Sequence, residues 1–334
     1  YYAAILLVLQ LLSLAFAGQG ICRDERKWEK ILPQCVIHIF RKTCIRRVIC
    51  VSLSIGCVLA GCIYEYKSLD RSFKVVFMDV GQGDGILIRS GMGMNILIDG
   101  GSSDNRQVGE YVMSPVIKYF GAAHIDYAFV THGDMDHMSG VEYLLETDDT
   151  GIVIENLVLP RYGAMEKLDD LADLAVSKGA NVVYVETGSQ IYCGYDMVNM
   201  QLNVLHPGAA TDITDTNDLS AVMMLEYCGE KILFMGDAGF DGESELLASG
   251  ADVDADILKV GHHGSRYSSG EDFLSRVSPS YAIISAGRDN RYGHPHEDAL
   301  KRIEDCGART LNTIDSGAVC VTIEPGGAKI ERYR

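Results

Sequence analysis

Apolar and polar positions divide this chain into two unlike parts. Tyr1 to Ala17 and Val48 to Tyr64 are almost unbroken apolar runs, and between them lie Arg23, Arg26, Lys27, Lys30, Arg41, Lys42, Arg46 and Arg47. Each run is about seventeen residues, the short limit for a helix crossing the hydrocarbon core of a bilayer. The pattern predicts two transmembrane helices, about 1–17 and 48–64. The first run begins without Met, so we expect it to be the end of a span in a longer chain. Its Ala15-Phe16-Ala17 also fits a signal-peptide cleavage site, but no basic stretch precedes it and a second apolar run follows. A basic loop between spans marks the cytoplasmic side. That predicts a multi-pass protein of the cell membrane, with membrane lipid around residues 1–72 and a soluble domain, 73–334, on the extracytoplasmic side.

From residue 73 the pattern becomes one of short strands and amphipathic helices. Phe73 to Val80, Asp84 to Arg89 and Asn95 to Asp99 are β-rich runs separated by Gly-rich turns, as in a meander. In Gln107 to Phe120, Val108, Tyr111, Val112, Val116 and Tyr119 recur at helical spacing. Beyond them come a strand at Val158, a helix around Glu166 to Lys178, Val182 to Val185, paired strands to Leu205 and from Ala221 to Met235, and helices near Glu243 and Ala299. This α/β alternation predicts two sheets flanked by helices, an αββα four-layer sandwich with its site on loops at the sheet edges.

Chemistry concentrates at three strand ends. Thr131-His132-Gly133-Asp134-Met135-Asp136-His137 follows the apolar stretch Ile125 to Val130 and precedes helix-like Met138 to Leu145. In an extended segment, residues two apart face the same way. His132 and Asp134 are therefore expected to grip one cation, while Asp136 and His137, past the bend, reach a second. The strand Lys231 to Met235 ends in Gly236-Asp237-Ala238-Gly239, which offers a bridging carboxylate. Asp256 to Val260 ends in Gly261-His262-His263-Gly264-Ser265, where one of His262 and His263 should be a ligand. Imidazole and carboxylate suit borderline to hard divalent ions such as zinc and manganese. Two such ions activate a bridging water and clamp the oxygens of a displacement. An Asp at a strand end is usually a turn former; three such motifs together describe a two-metal hydrolase.

Charge follows the same division. Residues 1–72 hold ten Lys or Arg against five Asp or Glu, and the remainder nineteen against forty-one, +5 and −22 within a total of −17. So acidic a domain is a poor general binder of phosphate backbones, although bound cations would reverse the sign where a scissile phosphate sits. Of ten cysteines, six (Cys22, Cys35, Cys44, Cys50, Cys57 and Cys62) lie in or beside the apolar segments, and the other four show no CxxC spacing. No disulfide partner is implied.

The order strand-His-x-Asp-x-Asp-His, Gly-Asp, His-His-Gly-Ser resembles the metallo-β-lactamase superfamily. With Phe77-Met78-Asp79-Val80-Gly81-Gln82-Gly83-Asp84, Leu97-Ile98-Asp99-Gly100-Gly101, Leu258-Lys259-Val260-Gly261-His262-His263-Gly264-Ser265 and Tyr292-Gly293-His294-Pro295, residues 73–334 are similar to the C-terminal domain of the ComEC family, the membrane channels of competence DNA uptake. The resemblance implies a metal-dependent nuclease beside the channel portion of the same or a longer chain, with DNA as substrate and two divalent ions, manganese or zinc or magnesium. Where the superfamily has His, this chain has Asp134, which hardens the first site. A further superfamily ligand falls between the first motif and the bridging Asp, and His206 and Asn217 both compete for it.

Asp79, Asp84 and Asp99 stand beside glycines. The turn-forming reading is preferred for Asp84, and Asp79 and Asp99 are expected to orient ligand histidines. His294 sits with Arg288 and Arg291 on a loop after Tyr281 to Ala286, suited to binding a phosphate or protonating a leaving oxygen. Ser265 and Ser268 either join that phosphate site or cap the helix near Glu271. Asp136 and His294 are thus the expected catalytic pair. Two alternatives remain open, a non-catalytic gating module with structural metals and a phosphoesterase of small molecules or phosphocholine.

Overall fold

Strand β1 (Phe73–Phe77) sends Phe73, Val75 and Phe77 to one apolar layer and Val76 to another. In β2 (Gly85–Arg89) and β3 (Asn95–Gly100), Ile86, Ile88, Ile96 and Ile98 likewise face away from Leu87 and Leu97. Both faces are covered, so these strands read as nearly continuous apolar runs rather than as alternating ones. The computed structural model describes residues 51, 52, 54–61 and 72–334, apart from 92, 164, 196 and 197. The chain divides into two compact units, Tyr1–Asp70 and Arg71–Arg334.

In the second unit, β1 to β3 form an antiparallel meander, and β3 continues in parallel with β4 (His124–Phe129), β5 (Val153–Pro160) and β6 (Asn181–Val185). Helices Met135–Glu146 and Met165–Ser177 make the crossovers. A second sheet repeats the plan: β7 (Gln190–Tyr195), β8 (Val198–His206), β9 (Val222–Tyr227) and β10 (Glu230–Phe234) form a meander, then β11 (Ile257–Lys259), β12 (Tyr281–Ile284) and β13 (Arg309–Asn312) run parallel. Their crossovers are helices Phe240–Ala248, Glu271–Val277 and Glu297–Asp305. The hairpin of β14 (Ala318–Glu324) and β15 (Gly327–Tyr333) returns to the first sheet, β14 pairing with β1.

Three apolar layers follow. Leu87, Leu97 and Leu157 meet Val141, Leu144 and Leu171 of the first pair of helices. Phe77, Ile98 and Phe129 meet Met223, Phe234 and Ile283 between the sheets. Leu233, Leu258 and Ala282 meet Leu246, Phe273 and Ile303 on the far side. The order is helices, sheet, sheet, helices. Parallel pairing puts the C-terminal ends of β3 and β4 on one edge of the first sheet and those of β10, β11 and β12 on one edge of the second, where loops are free to gather ligands.

The helix expected over Gln107 to Phe120 is instead a π-helical turn, Gly109–Met113, leading into an α-helix, Ser114–Tyr119, with Pro115 in its first turn; Pro suits a helix start and not a helix interior. The expected span 1–17, the basic loop and both ends of the span 48–64 lie outside the described residues. Residues 54–61 are helical. Among the described residues no helix is long and apolar enough to cross a membrane.

Candidate metal centre

His132 lies just beyond β4, and helix Met135–Glu146 begins with Asp134 as its extended N-cap residue. Asp136 and His137 therefore occupy the first helical turn rather than a loop before it, and the positive end of the helix dipole favours a carboxylate there. Asp237 follows β10 across Gly236, whose φ is +55° and whose added Cβ would lie 2.8 Å from Ser220 Cβ. Neither the conformation nor the space admits a side chain. His263 follows β11 in a short turn where both it and His262 adopt left-handed backbone, φ 54° and 49°. Such conformations are held by the surrounding structure at a cost.

These elements turn three ring nitrogens inward. Nε2 of His132, His137 and His263 and Oδ1 of Asp237 are buried and make no hydrogen bond. His137 Nε2 lies 3.2 Å and His263 Nε2 3.5 Å from Asp237 Oδ1, His132 Nε2 lies 4.0 Å from Asp237 Oδ2, and His263 Nε2 is 3.7 Å from Asp136 Oδ2. The opposite ring nitrogens are anchored. His137 Nδ1 donates to Asp99 Oδ2 at 2.8 Å, and His263 Nδ1 donates to the Ser285 carbonyl at 3.0 Å. Thr131 donates its hydroxyl to Asp99, leaving a lone pair for His132 Nδ1 at 3.2 Å. His137 and His263 are thus held through Nδ1–H and turn Nε2 toward Asp237, the orientation a cation requires, while His132 Nδ1 lies 3.2 Å from both the Thr131 and the Ser220 hydroxyls.

The charges fit the same occupant. Burial opposes a charge on His137, yet the Asp237 and Asp99 carboxylates hold its basicity well above the usual range. Burial also opposes a charge on His263, but Asp237, Asp136 and Asp84 bring it to about 9. Asp237 is held well below the carboxylate range, against burial, by His263, His137 and His132. A pocket this rich in buried carboxylate demands positive charge, as protons or as a metal ion. His132, His137 and Asp237, and also Asp136, His137 and His263, offer ligand atoms within 4.8 Å of one another.

Asp134 stands at the rim. Its Oδ2 is 3.9 Å from His132 Nε2, and its Oδ1 pairs with Lys167 Nζ at 3.0 Å. His206 does not join the group: Nδ1 faces the Ser220 carbonyl and Nε2 lies 3.4 Å from Glu245. Asn217 serves its local turn, and Ser220, its hydroxyl 3.2 Å from His132 Nδ1, occupies the place beside that ring. Of the two adjacent histidines, His263 is in the cluster; His262 is only partly buried and its ring lies 5.5 Å from that of His294.

Asp99 accepts from His137 Nδ1, whereas Asp79 lies at the surface with Arg288 and Asp104 as its charged neighbours, and partial desolvation of its carboxyl raises its pKa. Ser265 and Ser268 are spent inside the His263 turn: the Ser268 hydroxyl donates to the Gly261 and Ser265 carbonyls, and Ser265 Oγ accepts from the Tyr267 amide. The helix near Glu271 is instead served by Glu243, whose carboxylate accepts the Ser269 and Gly270 amides. Arg288 donates to the Ile314 carbonyl. His294 is buried beside the centre, its ring 6.1 Å from that of His263, and burial with the neighbouring His263, His262 and His296 lowers its pKa to about 4.

Two groups escaped the sequence reading. Lys259 Nζ pairs with Asp84 Oδ2 at 2.6 Å in full burial, and Asp84 Oδ1 lies 3.6 Å from His263 Nδ1. A Lys inside the apolar run Ile257 to Val260 was the available signal. Gln82 bridges the two sheets' loops, and nothing in its glycine turn announced that.

The fold and this edge cluster define a class, and the profile of the metallo-beta-lactamase superfamily matches residues 78–288; the chain belongs to that superfamily. It is similar to ComE operon protein 3 of Bacillus subtilis, 30% identical over 80% of this chain and 35% of that protein. Competence protein ComA of Neisseria gonorrhoeae is 29% identical over 78% of this chain and 34% of that one. Recombination protein 2 of Haemophilus influenzae is 27% identical over 81% and 32%. The chain spans about a third of the length of these relatives.

Proposed function

We propose that this chain is a metal-dependent phosphodiesterase, the nuclease domain of a membrane DNA-uptake protein, lying on the extracytoplasmic side beside the channel portion of a longer chain. The observation that carries the reading is the convergence of three buried, unbonded Nε2 atoms on Asp237. Two divalent ions are assigned to it, one among His132, Asp134 and Asp237, the other among Asp136, His137, His263 and Asp237. Such ions supply an activated water at neutral pH and positive charge against phosphoryl oxygens. Asp136 is the more open of the two central carboxylates, 16% exposed against 4% for Asp237, and is suited to accept a hydrogen bond from incoming water. His294 faces the substrate's phosphoryl or leaving oxygen. Similarity to competence proteins supports DNA as the substrate.

Asp134 in place of a histidine favours manganese or magnesium over zinc as activator. Rates on DNA and on a small generic diester across these three metals test the proposal: DNA hydrolysis strongest with manganese or magnesium supports it, and hydrolysis of the small diester alone points to a small-molecule phosphoesterase. One observation favours a second reading. Lys167 pairs with Asp134, a carboxylate the first ion would need. A gating module with a structural metal would tolerate that, and hydrolysis of neither substrate under any metal would put it ahead.

A further inference from the structure

Gln82 is buried in the turn between β1 and β2, and its side chain reaches across to the loops of the second sheet. Its Oε1 accepts the backbone N–H of Gly287 at 3.2 Å, and its own backbone N–H donates to Asp104 Oδ1 at 3.0 Å. The approach is close enough that a Cβ on Gly287 would lie 2.7 Å from Gln82 N. The other end of the side chain, Nε2, lies 3.3 Å from His294 Nδ1.

Which way the Gln82 amide points follows from its partners. A backbone N–H can only donate, so the carbonyl must face Gly287 and the NH2 must face His294. An NH2 can only donate in turn, so His294 Nδ1 must accept. A neutral ring with a lone pair on Nδ1 has its proton on Nε2. This is the reverse of the metal-facing histidines, whose Nδ1 atoms donate to Asp99 and to the Ser285 carbonyl.

We propose that Gln82 is a positioning residue that locks His294 in the Nε2–H tautomer, making His294 a hydrogen-bond donor to a phosphoryl or leaving oxygen and excluding it as the base that activates water. The role toward substrate rests on the phosphodiesterase reading; the tautomer does not.

Nitrogen-15 NMR of the zinc-loaded full chain reads the tautomer, with His294→Asn used to assign the ring. The expected wild-type ring is protonated on Nε2 and bare on Nδ1. Gln82→Glu replaces the donor with an acceptor, so the proton should move to Nδ1. DNA turnover with manganese should then fall about 10- to 100-fold in kcat. In a His294→Asn background the same substitution should cost less than about threefold, because the ring it acts through is gone. A wild-type ring protonated on Nδ1, or a Gln82→Glu ring that keeps its proton on Nε2, overturns the proposal. If Gln82→Glu fails to fold, the wild-type tautomer alone decides. The expected tautomers in a chain that hydrolyses nothing would overturn the phosphodiesterase reading and leave the assignment of Gln82 standing.

Discussion

Lys259 Nζ lies 2.6 Å from Asp84 Oδ2, an ion pair out of solvent that ties β11 of one sheet to the turn before β2 of the other, directly beneath His263. Lys259 also donates to the Val260 carbonyl at 2.9 Å. Removing one partner of such a pair strands the other charge in the interior. We expect Lys259→Met to destabilise the fold by about 3–5 kcal/mol, while the double variant Lys259→Met, Asp84→Leu recovers much of that loss. Urea unfolding of the three proteins measures it; a Lys259→Met loss below about 1 kcal/mol would show that the pair is solvated.

Glu243 makes stability depend on pH. Burial raises its pKa to about 7 from 4.5, against the pull of the Gly270 and Ser269 amides and Arg302. The folded state therefore holds this proton more tightly than the unfolded chain does. The stabilising contribution is full below the unfolded value and is lost as pH rises toward and through about 7. Between pH 5 and 8 the wild type should lose roughly 2–3 kcal/mol relative to Glu243→Gln. Parallel melting curves check this, and a wild type that gains stability over that range relative to Glu243→Gln would mean the backbone amides outweigh burial.

Asp99 Oδ2 accepts from His137 Nδ1 at 2.8 Å, and we propose that this contact orients the ring for a metal ion. Asp99→Asn should leave the fold intact and weaken metal binding about 10- to 100-fold. Competition with a chromogenic chelator reads the affinity directly. His206→Gln, whose target ring faces Glu245 instead of the centre, should leave metal binding unchanged.

How far the sequence spoke for the structure depended on distance along the chain. The Thr131 to His137 run, Gly236-Asp237 and the double histidine each sit at a strand end, so local pattern was enough to nominate them. The choice between His262 and His263 was not local, because both have left-handed backbone and only packing against Ser285 and Asp84 decides which ring turns inward. Asp84 and Lys259 are 175 residues apart, and Gln82 and His294 are 212 apart. Pairings of that kind arise from the stacking of two sheets, which no periodicity encodes. The pairing of Asp134 with Lys167 was hidden for a similar reason, since Lys167 comes from the next crossover helix. The closing hairpin of β14 and β15 had ordinary strand character but no feature to show that it would rejoin β1.

The central claim is that the buried cluster is a hydrolytic metal site, and Asp136→Ala tests it most directly. The full chain is stripped of metal with chelator and reloaded with manganese, then wild type and variant are compared for turnover of single-stranded and duplex DNA, with circular dichroism as the folding control. The wild type should lose activity on chelation and regain it with manganese, and the variant should be folded and at least about a thousandfold slower, as expected when a group that positions the activated water is removed. A folded Asp136→Ala chain that cleaves DNA at the wild-type rate would contradict the account.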